Sequence, residues 1–169
     1  DLEMMRGLFQ RRYPIIIHTA DARDVMGTAR MFHDEFKLPM ILSHGEFGGF
    51  RASPEIAKRG IHCNIGPRLY DFSYFLFDGR FYGIATQYRE AGVESISLNT
   101  DSPVVPEHDL GFQAAMAARY GFPVESAIQS VTIAPSRAIL AEDRIGSLEV
   151  GKDADIVIKS GDPLDIRSY

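Results

Sequence analysis

The 169 residues are 45% hydrophobic and 24% charged with a formal net charge of -5, a balance that supports a packed core and excludes wholesale disorder. The Lys and Arg residues form no cluster of the kind a phosphate-binding nucleic-acid surface needs, and no apolar stretch approaches the ~20 residues of a membrane span. With no basic cluster, a small-molecule substrate is the expectation, and the lone cysteine, Cys63, which cannot form an intrachain disulfide, fits a reducing, cytoplasmic setting.

The opening Asp1-Leu2-Glu3 has no initiator methionine and no basic region followed by a long apolar one, and it reads as a chain that begins mid-sequence. Tyr13 to Ile17 is predicted as a strand that ends on His18. Asp21 to Phe36 follows as a helix, because Val25, Ala29, Phe32 and Phe36 recur at three- and four-residue steps. Thr19 or Asp21 is its expected cap, and Lys37-Leu38-Pro39 ends it. The strand Met40 to Ser43 then runs into His44. Ser53 is the expected N-cap of a short helix with Pro54 at its first position and Gly60 at its close, and Ile61 to Ile65 is a third strand.

Gly66 to Gly79 holds Tyr70, Phe72, Tyr74, Phe75 and Phe77 in an irregular pattern, suited to a substrate-lining loop or to a loop packed on the body. A helix from about Phe81 to Ala91 stops at Gly92, and the strand Ser95 to Thr100 leads into Asp101. Helices are predicted near Gly111 to Tyr120, Val124 to Thr132 and Pro135 to Leu140. After Asp143 the pattern changes, and Ser147 to Val150 and Ala154 to Lys159 read as strands of a small β element between glycines.

Four βα units in succession make an α/β protein, either a small open sheet or half of an eight-stranded barrel. Three of the strands end on residues that bind metals: His18, His44 and Asp101. Loops at the C-terminal ends of parallel strands hold the chemistry in such folds, and a barrel brings those ends toward one axis. The half barrel is therefore the expectation. Two imidazoles and a carboxylate are part of a hydrolytic metal site, which normally takes three protein ligands and a water, or more in a two-metal site. His62 begins a strand, His108 sits in a surface turn and His33 lies on a charged helix face, so none of them joins this set. Glu46, two residues past His44, is a candidate substrate contact, and Arg68 is suited to forked recognition of a carboxylate or to a structural salt bridge.

The segment Val131-Thr132-Ile133-Ala134-Pro135-Ser136-Arg137-Ala138-Ile139-Leu140, with Arg144-Ile145-Gly146-Ser147-Leu148-Glu149-Val150-Gly151-Lys152-Asp153-Ala154-Asp155-Ile156-Val157-Ile158 and Gly161-Asp162-Pro163-Leu164, resembles the C-terminal signature of the metal-dependent amidohydrolase superfamily. Asn99-Thr100-Asp101-Ser102-Pro103-Val104 is similar to the last barrel strand of its imidazolonepropionase-like and prolidase-like members. The resemblance covers nearly the whole chain. It implies that residues 1–144 are the C-terminal half of a TIM barrel, strands five to eight, and that 145–169 contribute to a composite β-sandwich. By the same match His18 resembles the fifth-strand ligand, and His44 the sixth-strand histidine that binds a second metal or contacts substrate. Asp101 resembles the last-strand aspartate, both ligand and proton shuttle.

The implied cofactor is one or two divalent ions, zinc first, with manganese or iron as alternatives. The implied activity is hydrolysis of a C–N bond in a cyclic amide or dipeptide-like substrate. The His-x-His pair of the family's first strand is absent. The expected partners are accordingly the N-terminal half of the same protein and a second copy in a homo-oligomer, with no nucleic acid or membrane. A deaminase-type member, a catalytically silent half barrel and a small open binding domain are the competing readings. Asp21 stands where related deaminases often have a glutamate.

Overall fold

The computed structural model describes residues 2–71, 79 and 81–168. Its centre is a four-stranded, all-parallel sheet in the order β1-β2-β3-β6, formed by Ile15–Thr19 (β1), Met40–His44 (β2), His62–Ile65 (β3) and Ile96–Leu98 (β6). The short antiparallel pair Tyr70–Asp71 (β4) and Tyr82–Gly83 (β5) lies between β3 and β6 in sequence. Parallel strands need crossovers, and helices supply them. They are Ala22–Thr28 (α2), Ser53–Arg59 (α3) and Ile84–Glu90 (α4), followed after β6 by Leu110–Arg119 (α5), Val124–Gln129 (α6) and Ile133–Ala138 (α7). A further helix, Leu2–Phe9 (α1), precedes the sheet and was not expected from the sequence.

Several predicted boundaries shift for local reasons. The helix after β1 changes hydrogen-bond pattern at Ala29 and continues to Glu35 with π-type spacing. Asp21 is its cap, accepting from the Arg23 and Asp24 amides at 2.7 and 3.1 Å, which holds its carboxyl below the usual range. Ser53 is not a cap. A 3-10 turn, Gly49–Ala52, feeds directly into α3, and the Ser53 hydroxyl donates back to the Phe50 carbonyl at 2.5 Å. Gly60 closes α3 with φ +63°, a left-handed geometry that costs glycine little.

The expected strands at Ser147–Val150 and Ala154–Lys159 do not form among the described residues. A strand needs a neighbouring edge, and here Val150, Val157 and Ile158 lie almost fully exposed.

Register separates the two faces of the sheet. Ile15, Ile17, Met40, Leu42, Cys63, Ile65, Ile96 and Leu98 lie on or against the apolar core, where Val25, Ile56, Ile84, Tyr88 and Ala117 cover them. Burial pushes the Cys63 thiol up, so it is an inert core group. The alternate positions put His18, Ser43, Asn64 and Ser97 in one row on the other face. That face is polar on its β3 and β6 side, unlike the branched apolar filling usual inside a barrel.

His62 bridges β3 and β6 on this face. Its two ring nitrogens lie 2.6 Å from the Ser95 hydroxyl and 2.7 Å from the Ser97 hydroxyl, and Ser97 donates onward to the Asn64 amide oxygen at 2.8 Å. Because the Ser97 proton is committed to Asn64, Nε2 of His62 is the donor to Ser97. Burial pushes the His62 pKa down to about 4. The unfolded chain, with an ordinary value of 6.5, therefore takes up a proton first as pH falls. Stability is fully present above pH 6.5 and drains away between 6.5 and 4, by roughly 3 kcal/mol at most. Denaturant titrations from pH 7.5 to 4.5 are expected to show this loss, and His62→Gln to flatten it. Parallel slopes for parent and variant would remove His62 as the cause.

Candidate metal centre

His18 and Asp101 each approach His44 at the C-terminal edge of the sheet, where His18 lies within β1, His44 ends β2 and Asp101 follows β6 by three residues. The His18 and His44 rings lie 4.5 Å apart between centroids, tilted by 47°. His44 Nε2 is 3.9 Å from Asp101 Oδ1, too long for a hydrogen bond. His18 is exposed, His44 is buried, and the Asp101 side chain is 44% exposed, so the cluster is open on one side.

Backbone geometry aims the last two. Both His44 (φ +72°) and Asp101 (φ +48°) adopt the left-handed region, which is uncommon outside glycine and concentrates at functional sites. His44 is the last residue of β2, and Asp101 lies three residues past the end of β6. His44 Nδ1 lies 2.6 Å from the Gly66 carbonyl oxygen. A carbonyl can only accept, so Nδ1 carries the proton and the Nε2 lone pair faces Asp101. This is the second partner that metal-binding histidines typically have.

Gly66 can make this contact because its φ is +134° and a Cβ there would overlap the Asn99 carbonyl. Behind His44, Gly45 donates its amide to Thr19 O at 3.1 Å, and the Thr19 hydroxyl donates to Ser43 O at 2.8 Å.

The donor chemistry fits a divalent ion: two imidazoles, one fixed as a neutral lone-pair donor, and a carboxylate. The number of donors is short. Among the described residues, no group of three or more His, Cys, Asp or Glu side chains is arranged to hold a metal ion by itself. Further ligands must come from elsewhere for such an ion to be held.

Glu46 is buried and its carboxylate accepts the Arg68 backbone amide at 2.6 Å, while burial raises its pKa. In this structure it ties the loop after β2 to the loop after β3. The Arg68 guanidinium lies 5.2 Å from the Phe47 ring centroid, a cation–π distance. Both residues border the cluster through their loops. Of the aromatic run expected to line substrate, Phe72, Tyr74, Phe75 and Phe77 lie outside the described residues, and Tyr70 stacks on Tyr120 at 4.9 Å. His108 is exposed beside Asp109 and His33 pairs with Asp34, so neither approaches the cluster. Sequence reasoning missed Gly66 and Gly45, because glycine alone does not say which carbonyl a histidine will use.

No helix among the described residues is long and apolar enough to cross a membrane. The sequence profile described as "Amidohydrolase family" matches residues 77–168, more than half of the chain. The chain is 37% identical over 67 residues to "Amidohydrolase tasK" of Hapsidospora irregularis, a match covering 40% of this chain and 7% of that protein. It is similar to the crystal structure of an amidohydrolase from Thermotoga maritima MSB8, with TM-score 0.83 and 32% identity over 99% of this chain and 44% of that one. It shares its fold with a Xaa-Pro dipeptidase solved with bound methionine in the active site, with TM-score 0.67 and 21% identity over 90% of this chain and 40% of that one. The chain thus spans under half the length of each of these three relatives. The partial α/β barrel and the profile over its C-terminal part agree, and the chain belongs to the amidohydrolase family.

Proposed function

We propose that this chain supplies the C-terminal half of the active site of a metal-dependent hydrolase that cleaves C–N bonds in cyclic amides or dipeptide-like substrates. The observation that carries this reading is the meeting of His18, His44 and Asp101 at one sheet edge, with His44 held in the tautomer that leaves Nε2 free. His18, His44 and Asp101 would hold the ion, zinc first, with manganese or iron as alternatives. The chemistry a divalent ion contributes is Lewis acidity toward the scissile carbonyl and a nucleophilic water near neutral pH.

Asp101 takes the proton from the attacking water and returns it to the leaving nitrogen, a role that its partial exposure permits. Arg68 and Glu46 border the substrate, and a substrate carboxylate would be met by the forked guanidinium of Arg68. The amidohydrolase family supports the hydrolase class, and the dipeptidase of shared fold supports the peptide-like substrate as the first to try. The deaminase reading is weaker at Asp21, whose carboxylate caps α2.

The short donor count leads us to place the missing ligands on preceding barrel strands of the same protein, with residues 145–169 completing a sandwich alongside strands from that region. A homo-oligomer acting in the cytoplasm completes this reading, which the lone buried Cys63 suits.

Elemental analysis of the full-length protein tests the proposal. At least one equivalent of zinc, manganese or iron is expected, falling well below one in His18→Ala and His44→Ala, with C–N hydrolysis lost on chelation and restored by the ion. A metal-free preparation that turns over at the same rate would overturn it.

A further inference from the structure

We infer that Tyr88, on α4 and away from the strand ends, is a positioning residue for His44; this rests on the reading of His44 as a metal ligand. The Tyr88 side chain is fully buried, and its hydroxyl donates to the Gly45 carbonyl at 3.1 Å. Gly45 follows His44 directly, and both residues are left-handed, at φ +60° and +72°. Two such residues in a row do not hold themselves, because His44 carries a Cβ penalty there.

The hydroxyl occupies a space that two glycines leave open. A Cβ on Gly45 would fall on the Tyr88 oxygen, and one on Gly49 would come within 3.1 Å of it. The chain from 45 to 49 is thus wrapped around this one oxygen. On the opposite side the Gly45 amide is pinned to Thr19 O at 3.1 Å. With Tyr88 on its carbonyl and β1 on its amide, Gly45 is held through the peptide units on both sides of it. That fixes the turn from which the His44 ring reaches Gly66 O and Asp101. Without the hydroxyl, the Gly45 carbonyl is left buried without its donor, and the peptide can rotate to seek another. The ring's aim then loosens while the α4 packing of the aromatic body stays.

The test is metal affinity of the full-length protein, measured with zinc against a chromogenic chelator. Tyr88→Phe removes only the hydroxyl and is expected to weaken zinc binding about 10-fold, the lower end for loss of a group supporting a ligand. Thr86→Val is the control, since Thr86 on the same helix donates to Tyr120 O at 2.8 Å and does not touch Gly45. It is expected to lower the denaturation midpoint as Tyr88→Phe does, with zinc affinity unchanged. Zinc affinity within twofold of the parent in Tyr88→Phe, while His44→Ala loses it, overturns the inference and leaves the ligand reading intact. Equal weakening in Thr86→Val overturns it as a general stability effect. Unchanged affinity in His44→Ala overturns the ligand reading and this inference together.

Discussion

Asp101→Asn in the full-length protein is expected to lower kcat by about 10³-fold while leaving the folded state nearly as stable as the parent. Asparagine is the informative replacement because Asp101 sits at φ +48°, in a region that Asn tolerates about as well as Asp and that alanine does not. The side chain is 44% exposed, so exchanging a carboxylate oxygen for an amide nitrogen buries no unpaired group.

What the variant removes is a base, one oxygen of which stands 3.9 Å from His44 Nε2 in a cluster open to solvent on one side. General acid–base groups of this kind contribute roughly 10²- to 10⁴-fold, and Asp101 is assigned both the acceptance and the return of the proton. Steady-state rates beside a urea titration separate the outcomes. A loss of rate at an unchanged unfolding midpoint supports the shuttle. A rate unchanged at matched metal occupancy would leave Asp101 as no more than a strand-end turn, through its carbonyl's 2.8 Å contact with the Val104 amide.

The positions of these donors were legible because each lies at or just beyond the C-terminal end of a parallel strand: His18 is next to last in β1, His44 ends β2 and Asp101 lies three residues past β6. Ile15 to Ile17 and Met40 to Leu42 are apolar runs, and the residues that follow such runs at a parallel strand's C-terminal end, His18 directly and His44 after Ser43, lie on the functional side of the fold. What was not legible is how they are aimed. The ring of His44 depends on the carbonyl of Gly66, a contact between residues 22 apart that no periodicity announces.

The alternation at His62, Asn64 and Ser97 signals a polar face on β3 and β6 that a reading of uniformly apolar strands passed over. The C-terminal segment shows the opposite failure. Its composition reads as strand from Ala154 to Lys159, yet Val157 and Ile158 stand exposed because β structure requires a partner edge as well as propensity. α1 carries Leu2, Met4, Met5, Leu8 and Phe9, of which only Leu8 is buried, and no element was expected there.

Gly66→Ala joins fold and site in one substitution, and it is expected to cost at least about 3 kcal/mol of stability and to depress activity beyond that loss. Two separate penalties meet here. The backbone at φ +134° is glycine's own, and an added Cβ would press on the carbonyl oxygen, carbonyl carbon and amide of Asn99, none of which is the yielding end of a side chain. Relief requires β3 and β6 to part at their C-terminal ends, where the Asn99 amide donates to Ile65 O at 2.9 Å and the Asn99 side chain donates to Asn64 O at 2.9 Å.

Any such movement carries the Gly66 carbonyl away from His44 Nδ1, and a 2.6 Å contact has little slack. His44 then loses the partner that fixes its proton on Nδ1, and the ring can present the wrong nitrogen to Asp101. Urea unfolding gives the stability cost, and the rate per folded, metal-loaded molecule gives the effect on the site. Both should fall. If the variant is destabilised but each folded molecule keeps the parental rate, the Gly66 carbonyl is structural only, and the aim of His44 must come from the Gly45 side of the turn.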